Sequence, residues 1–114
     1  MFFTGNYAPG NAKGLNKTFV ETYVKTYGHN PDEQAALTWD AVRLLLQAIQ
    51  NTGSLSGDLM RDRAAVKDAL GRIKDFDGAS GKISFAGNGD PSKCAVIVKI
   101  DDKGIFTEHD TVCP

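Results

Sequence analysis

Few residues of this chain are of the types that carry chemistry. His29 and His109 lie far apart, and neither has a cysteine or a set of acids at metal-ligand spacing. Both are expected at the surface. There are two cysteines, Cys94 and Cys113, with no Cys-x-x-Cys and no zinc-like spacing. No Ser/His/Asp arrangement, Gly-x-Ser-x-Gly elbow or phosphate-binding loop occurs. The run Gly87-Asn88-Gly89-Asp90 begins like a calcium loop but lacks the further acids and the closing glutamate, so it reads as a turn. Trp39 and Asp40 catch the eye. Inside an apolar helix, however, a tryptophan reads as a packing anchor, and an aspartate near a helix start as a charge that suits the helix dipole. The sequence thus predicts no enzyme, no metal and no cofactor.

The elements that must position these residues are legible from periodicity. Leu15, Phe19, Val20, Tyr23, Val24 and Tyr27 fall on one face of a helix over 14–27, which Gly28 ends and Pro31 separates from the next. A second helix over 33–51 is apolar on nearly every side (Ala41, Val42, Leu44, Leu45, Leu46, Ala48, Ile49). A third runs over 59–70, with Asp58 as N-cap and Gly71 as a C-terminal stop. A short strand is expected around Phe2–Thr4. Lys82–Phe85 alternates as a half-buried strand does, 87–91 is a loop, and 94–100 is the strongest strand signal. Asp101–Gly104 turns the chain back into Ile105–Glu108. A helix as apolar as the second needs more cover than about four short strands provide. The segment is therefore expected to pack on structure it does not contain.

The bulk numbers narrow the class. The chain has 114 residues, 41% hydrophobic and 24% charged, with a net charge of −1. That balance argues against a nucleic-acid or anionic-membrane surface. No run reaches the ~18 apolar residues of a membrane helix. Residues 1–3 are too short for a signal peptide.

Several stretches together resemble one family. Phe19-Val20-Glu21-Thr22-Tyr23 and Tyr27-Gly28-His29-Asn30-Pro31 are similar to a helix and its exit in periplasmic solute-binding proteins of the branched-chain amino-acid type. Ala35-Ala36-Leu37-Thr38-Trp39-Asp40-Ala41-Val42-Arg43-Leu44-Leu45 resembles the next helix, with Trp39 for the usual tyrosine. Ala48-Ile49, Gly53-Ser54 and Val66–Leu70 follow in order. Phe76–Phe85 resembles "Phe-x-Gly-x-x-Gly-x-Ile-x-Phe", and Val96–Ile100 with Gly104-Ile105-Phe106 the terminal hairpin. The resemblance covers nearly the whole chain.

It implies an α/β, Rossmann-like fold of two lobes that close on a ligand, of which this chain supplies three helices and a C-terminal hairpin. The chain is then a fragment of a larger protein. Residues 1–88 are expected in one lobe and 89–114 in the crossover and hairpin of the other, with a crossing near Gly87–Lys93. The function implied is the extracytoplasmic binding component of an ABC transporter, taking an amino acid or similar metabolite; a receptor's sensor domain is the alternative. Ligand contacts are expected from Gln34 and Ala35 at the start of the second helix, and from Tyr7 in the loop after the first strand. A membrane permease is the implied partner, and any signal peptide lies upstream. Made alone, the fragment is expected to self-associate as a homodimer through its uncovered apolar surface. If Ile100 pairs with Ile105, Cys94 falls opposite Thr111, and Cys113 lies two residues beyond. A bulge or a curl of the tail allows a Cys94–Cys113 disulfide, which suits an exported protein; two buried thiols in a cytosolic protein are the alternative.

Overall fold

A computed structural model describes all 114 residues. The order is β1 (Phe2–Gly5), α1 (Gly14–Tyr27), α2 (Glu33–Asn51), α3 (Leu59–Gly71), β2 (Phe76–Gly78), β3 (Gly81–Phe85), β4 (Pro91–Lys93), β5 (Ala95–Ile100) and β6 (Phe106–Val112). The helix ends have local causes. Gly28 takes φ 77° and its N–H returns to the Val24 carbonyl at 2.8 Å, a conformation a side chain would strain. Asp32 caps α2 by accepting from the Ala35 N–H, and Asp58 caps α3 by accepting from Met60 and Arg61. Gly71, expected as the stop of α3, is its last helical residue, and α3 ends through Arg72 in the right-handed region.

The strands form two separate antiparallel sheets, β1-β5-β6 and β2-β3-β4. Residues 2–5 do not join the helices; they pair with the far end of the chain, Phe2 opposite Lys99 and Gly5 opposite Val96. The Gly87–Lys93 stretch contains a hairpin turn and a short strand. Gly87 and Gly89 turn β3 into β4, where Phe85 faces Pro91, and the chain passes to the other sheet at Cys94.

The terminal hairpin is offset from the expected register in two steps. Ile100 pairs with Phe106, because Asp101 Oδ1 accepts from both Lys103 and Ile105 N–H and so widens the turn. The pairing slips again between Ile97↔Asp110 and Val98↔Glu108, leaving His109 as a bulge. Together these bring Cys113 directly opposite Cys94. The two form a disulfide, with Cα atoms 4.1 Å apart.

Burial is thin and divided. Leu44, Ala48, Ala69, Ile73 and Ile83 form one core between α2, α3 and β3. Tyr7, Phe19, Ala36 and Ala79 form a second. Ala8, Val96 and Val98 form a third on the other sheet. On α2 the line Ala36, Asp40, Leu44, Ala48 is buried, whereas Trp39, Val42, Leu45 and Leu46 on the opposite face are 44–54% exposed. The radius of gyration is 16.2 Å, against about 13 Å for a compact chain of this length. The accessible surface is 7676 Å², roughly 1,600 Å² above that of a compact monomer of this mass.

The disulfide closes a loop between residues 19 apart, worth about 3 kcal/mol in the chain-entropy treatment. Replacing both cysteines with alanine should therefore lower the midpoint of urea unfolding. Amide exchange should show β6 fraying near Thr111 while α2 and α3 keep their protection. Equal loss of protection in the helices would contradict this local role.

Candidate functional site

The two sheets meet at a polar junction built on the first half of α2. Asp40 is 1% exposed, so its carboxylate must find donors inside the protein. It finds three in the tight turn between β2 and β3: Ala79 N–H at 2.7 Å, Ser80 N–H at 2.8 Å and Ser80 Oγ at 2.6 Å. The turn can come this close only because residue 78 is glycine. A Cβ there would stand 2.5 Å from Asp40 Oδ2 and 2.9 Å from the Gly81 carbonyl. Two turns of helix earlier, on the same side, Glu33 accepts from the Asn6 N–H at 2.9 Å and from Asn6 Nδ2 at 3.1 Å. Lys93, the last residue of β4, then donates to the Asn6 carbonyl at 2.7 Å and the Ser80 carbonyl at 2.5 Å. Burial lowers the Lys93 pKa, opposed by the carboxylates of Asp40 and Glu33. Beside them Tyr7 donates its hydroxyl to Asn16 Oδ1 at 2.9 Å, and burial, then the Asp40 charge, push its pKa up.

An open cleft of about 1000 Å³ lies next to this junction. One wall is the β2–β3 turn, with Ser80 and Lys82; another is the loop at Asn11–Asn16; the third is β6, with the bulged His109 and Thr111. No three or more His, Cys, Asp or Glu side chains gather at metal-holding distance. The lining mixes hydroxyl, amide and cationic groups and the carboxylates of Asp77 and Glu108 with Tyr7, Ala8 and Val96, which suits the hydrogen bonding of a small polar ligand.

The expected site residues separate. Tyr7 lines the cleft, buried and hydrogen-bonded. Gln34 is exposed and does not line it. Ala35 packs against the Tyr7–Phe19 cluster. Trp39 is a half-exposed ring 5.5 Å from Phe19, and both histidines are exposed. Asp40 is not a free charge on the helix dipole but the acceptor on which a turn closes. Glu33, Asn6, Ser80 and Lys93 escaped the sequence reading. One signal for Asp40 was present: it falls on the line Ala36–Leu44–Ala48, where an acid must have a buried partner.

Comparison with known proteins places this architecture. The profile of the periplasmic binding protein family matches residues 1–104. The chain belongs to that family. Among solved structures, the leucine binding protein LivK of Thermotoga maritima is 33% identical with a TM-score of 0.82, covering 100% of this chain and 31% of that one. The branched-chain substrate binding protein LivJ of Streptococcus pneumoniae, solved with isoleucine, is 24% identical with a TM-score of 0.76, over 99% and 30% of the two chains. A solute binding protein of an R. palustris ABC transporter, solved with benzoate, shares the fold at 19% identity and a TM-score of 0.81, over 100% and 30%. No curated protein sequence matches significantly. The chain thus spans about a third of the length of the solved relatives it matches.

Two predictions follow from the junction. Asp40→Ala strips the acceptor from two buried N–H groups and should lower the unfolding free energy by about 2–5 kcal/mol. Gly78→Ala should also destabilise, but the double variant should cost less than the two single costs added, because the methyl occupies space the carboxylate vacates. Strict additivity in urea melts would refute the close approach. Hydrogen bonds from the Asn6 backbone and side chain hold the Glu33 pKa below the usual glutamate value against desolvation by burial, with a lesser contribution from the Lys93 charge. A lowered carboxylate pKa stabilises the fold above the ordinary glutamate range, and the contribution fades as pH falls through the lowered value. The Asn6 amide resonance should therefore titrate with a midpoint below that of a free glutamate.

Proposed function

We propose that this chain is the C-terminal part of an extracytoplasmic solute-binding protein that delivers a small ligand to the membrane permease of an ABC importer. The observation that carries the reading is the full-length correspondence of the chain to a leucine binding protein at 33% identity. Family membership supports it, as does a cleft lined with hydrogen-bonding groups.

The ligands named with the relatives share one chemistry. Leucine, isoleucine and benzoate each carry a carboxylate on an apolar body. We assign this chain to a ligand of that type. In this reading α1–α3 with β2–β4 belong to one lobe and β1-β5-β6 to the other. The chain crosses between them at residues 6–13 and again at Cys94. The uncovered face of α2 seats the remaining strands of its lobe, and the 114 residues by themselves associate through it as a dimer. Tyr7, at the edge of the cleft, is the ligand contact this chain contributes. Gln34 and Ala35 stand outside the cleft and have no part in the proposal. The disulfide fits an oxidising compartment.

The test is thermal unfolding of the complete gene product carrying this chain, against a panel of amino acids and aromatic carboxylates. A ligand that binds the folded state at 100 times its dissociation constant adds about 2.7 kcal/mol. A clear rise in melting temperature with a member of the panel is expected. A flat response to every member overturns the reading.

A further inference from the structure

We infer that Lys93 is the pin of a hinge, a single ammonium group that fastens the two chain crossings to each other and to α2. The inference rests on position and geometry and does not depend on which ligand is carried.

The molecule has two bodies with separate cores. The helical body holds the Leu44 and Phe19 clusters, whereas the sheet β1-β5-β6 rests on Ala8, Val96 and Val98. Neighbouring residues of the first crossing divide between them, Tyr7 entering the helical core and Ala8 the sheet core. The second crossing is Cys94, between β4 and β5. Lys93 immediately precedes it and reaches back to the Asn6 carbonyl at the start of the first crossing. Its other bond goes to Ser80, in the turn that Asp40 holds. Asn6 and Ser80 are thus each gripped twice: by an α2 carboxylate through their N–H groups and by Lys93 through their carbonyls. The pin works because the ammonium offers three donors from one point to carbonyls whose own segments are already fixed.

The charged and titratable groups facing Lys93 are Asp40 and Glu33 from α2. Two carboxylates balance one partly desolvated cation, so the site is not an uncompensated buried charge. Removing the ammonium leaves both segments held only from the α2 side. Asn6 is then tied to Glu33 at a largely exposed position, which by itself is a weak tie.

Residual dipolar couplings of backbone amides read the relative order of the two bodies. In the unaltered chain one alignment tensor should fit both. Lys93→Met keeps the aliphatic stem and removes the donors. Each body should then keep couplings that fit its own structure, while the two require different tensors. Glu33→Gln, which weakens the grip on Asn6 and removes one of the two charges facing Lys93 but leaves the ammonium's donors in place, should split the tensors less. A single tensor retained in Lys93→Met would overturn the inference. Loss of native amide dispersion in Lys93→Met would also overturn it, by making Lys93 a stabiliser of the whole fold. Equal splitting in both variants would move the pin from Lys93 to Glu33.

Discussion

The structure turns on one buried carboxylate. Asp40 sits on the side of α2 that also carries Ala36, Leu44 and Ala48, and no water is available to solvate it there. A charge so placed is tolerated only with a full set of donors. The β2–β3 turn supplies them, two from its backbone and one from Ser80. Everything near the turn is constrained in consequence. Residue 78 must lack a side chain, Ala79 is driven into the Phe19 cluster, and the Ser80 carbonyl is aimed at Lys93. A helix and a turn nearly forty residues apart in sequence are locked by these hydrogen bonds together with the apolar contact of Ala36 and Ala79.

That division of labour follows from how little apolar burial the chain achieves. Three clusters of three to five residues replace a single core. Burying apolar surface is worth roughly 25 cal/mol per Å², and here much of that surface stays in water. Polar ties of fixed geometry and one disulfide do what a larger core does elsewhere. The half-exposed Trp39, Val42, Leu45 and Leu46 form a continuous face of a helix whose other face is well packed. Such a face is stable in water only at a cost, which strands laid across it would remove.

Local signals in the sequence located the helices almost to the residue. The left-handed position of Gly28, the cap of Asp58 and the 3.6-residue period are all short-range effects, and each acts as its chemistry dictates. The pairing of β1 with β5 is different in kind. Phe2–Gly5 meets Val96–Lys99 across almost the whole chain, and nothing in either stretch specifies the other. Gly87 and Gly89 are ambiguous for a related reason. Glycine marks a place where the backbone can turn, but the same residues serve a hairpin as well as a crossing. The hairpin offset came from a side chain: Asp101 accepting two backbone N–H groups widened the turn, and the bulge at His109 took up the rest. Asp40 was misread because its charge was weighed against the helix dipole and not against the apolar line it shares.

The segments that join the two bodies are notable for what they contain. The positive-φ glycines Gly87, Gly89 and Gly104 all lie in hairpin turns. The one glycine of the first crossing packed against another strand, Gly10, leaves no room for a side chain. A Cβ there would meet Thr107 Cγ2 at 2.6 Å and the Phe106 carbonyl at 2.7 Å, and its N–H donates to that same carbonyl at 3.0 Å. Gly10 is thus a point of attachment to β6, not of freedom. At the second crossing, Cys94 is fixed on one side by its disulfide and on the other by the ladder that holds Lys93 opposite Ile83. Any rotation of one body against the other must then be taken up by the few bonds between Asn6 and Pro9 and by those flanking Cys94. Motion confined to so few bonds is directional, since each permits rotation about only one axis. The polar ties that span these bonds therefore set how stiffly one body is held against the other.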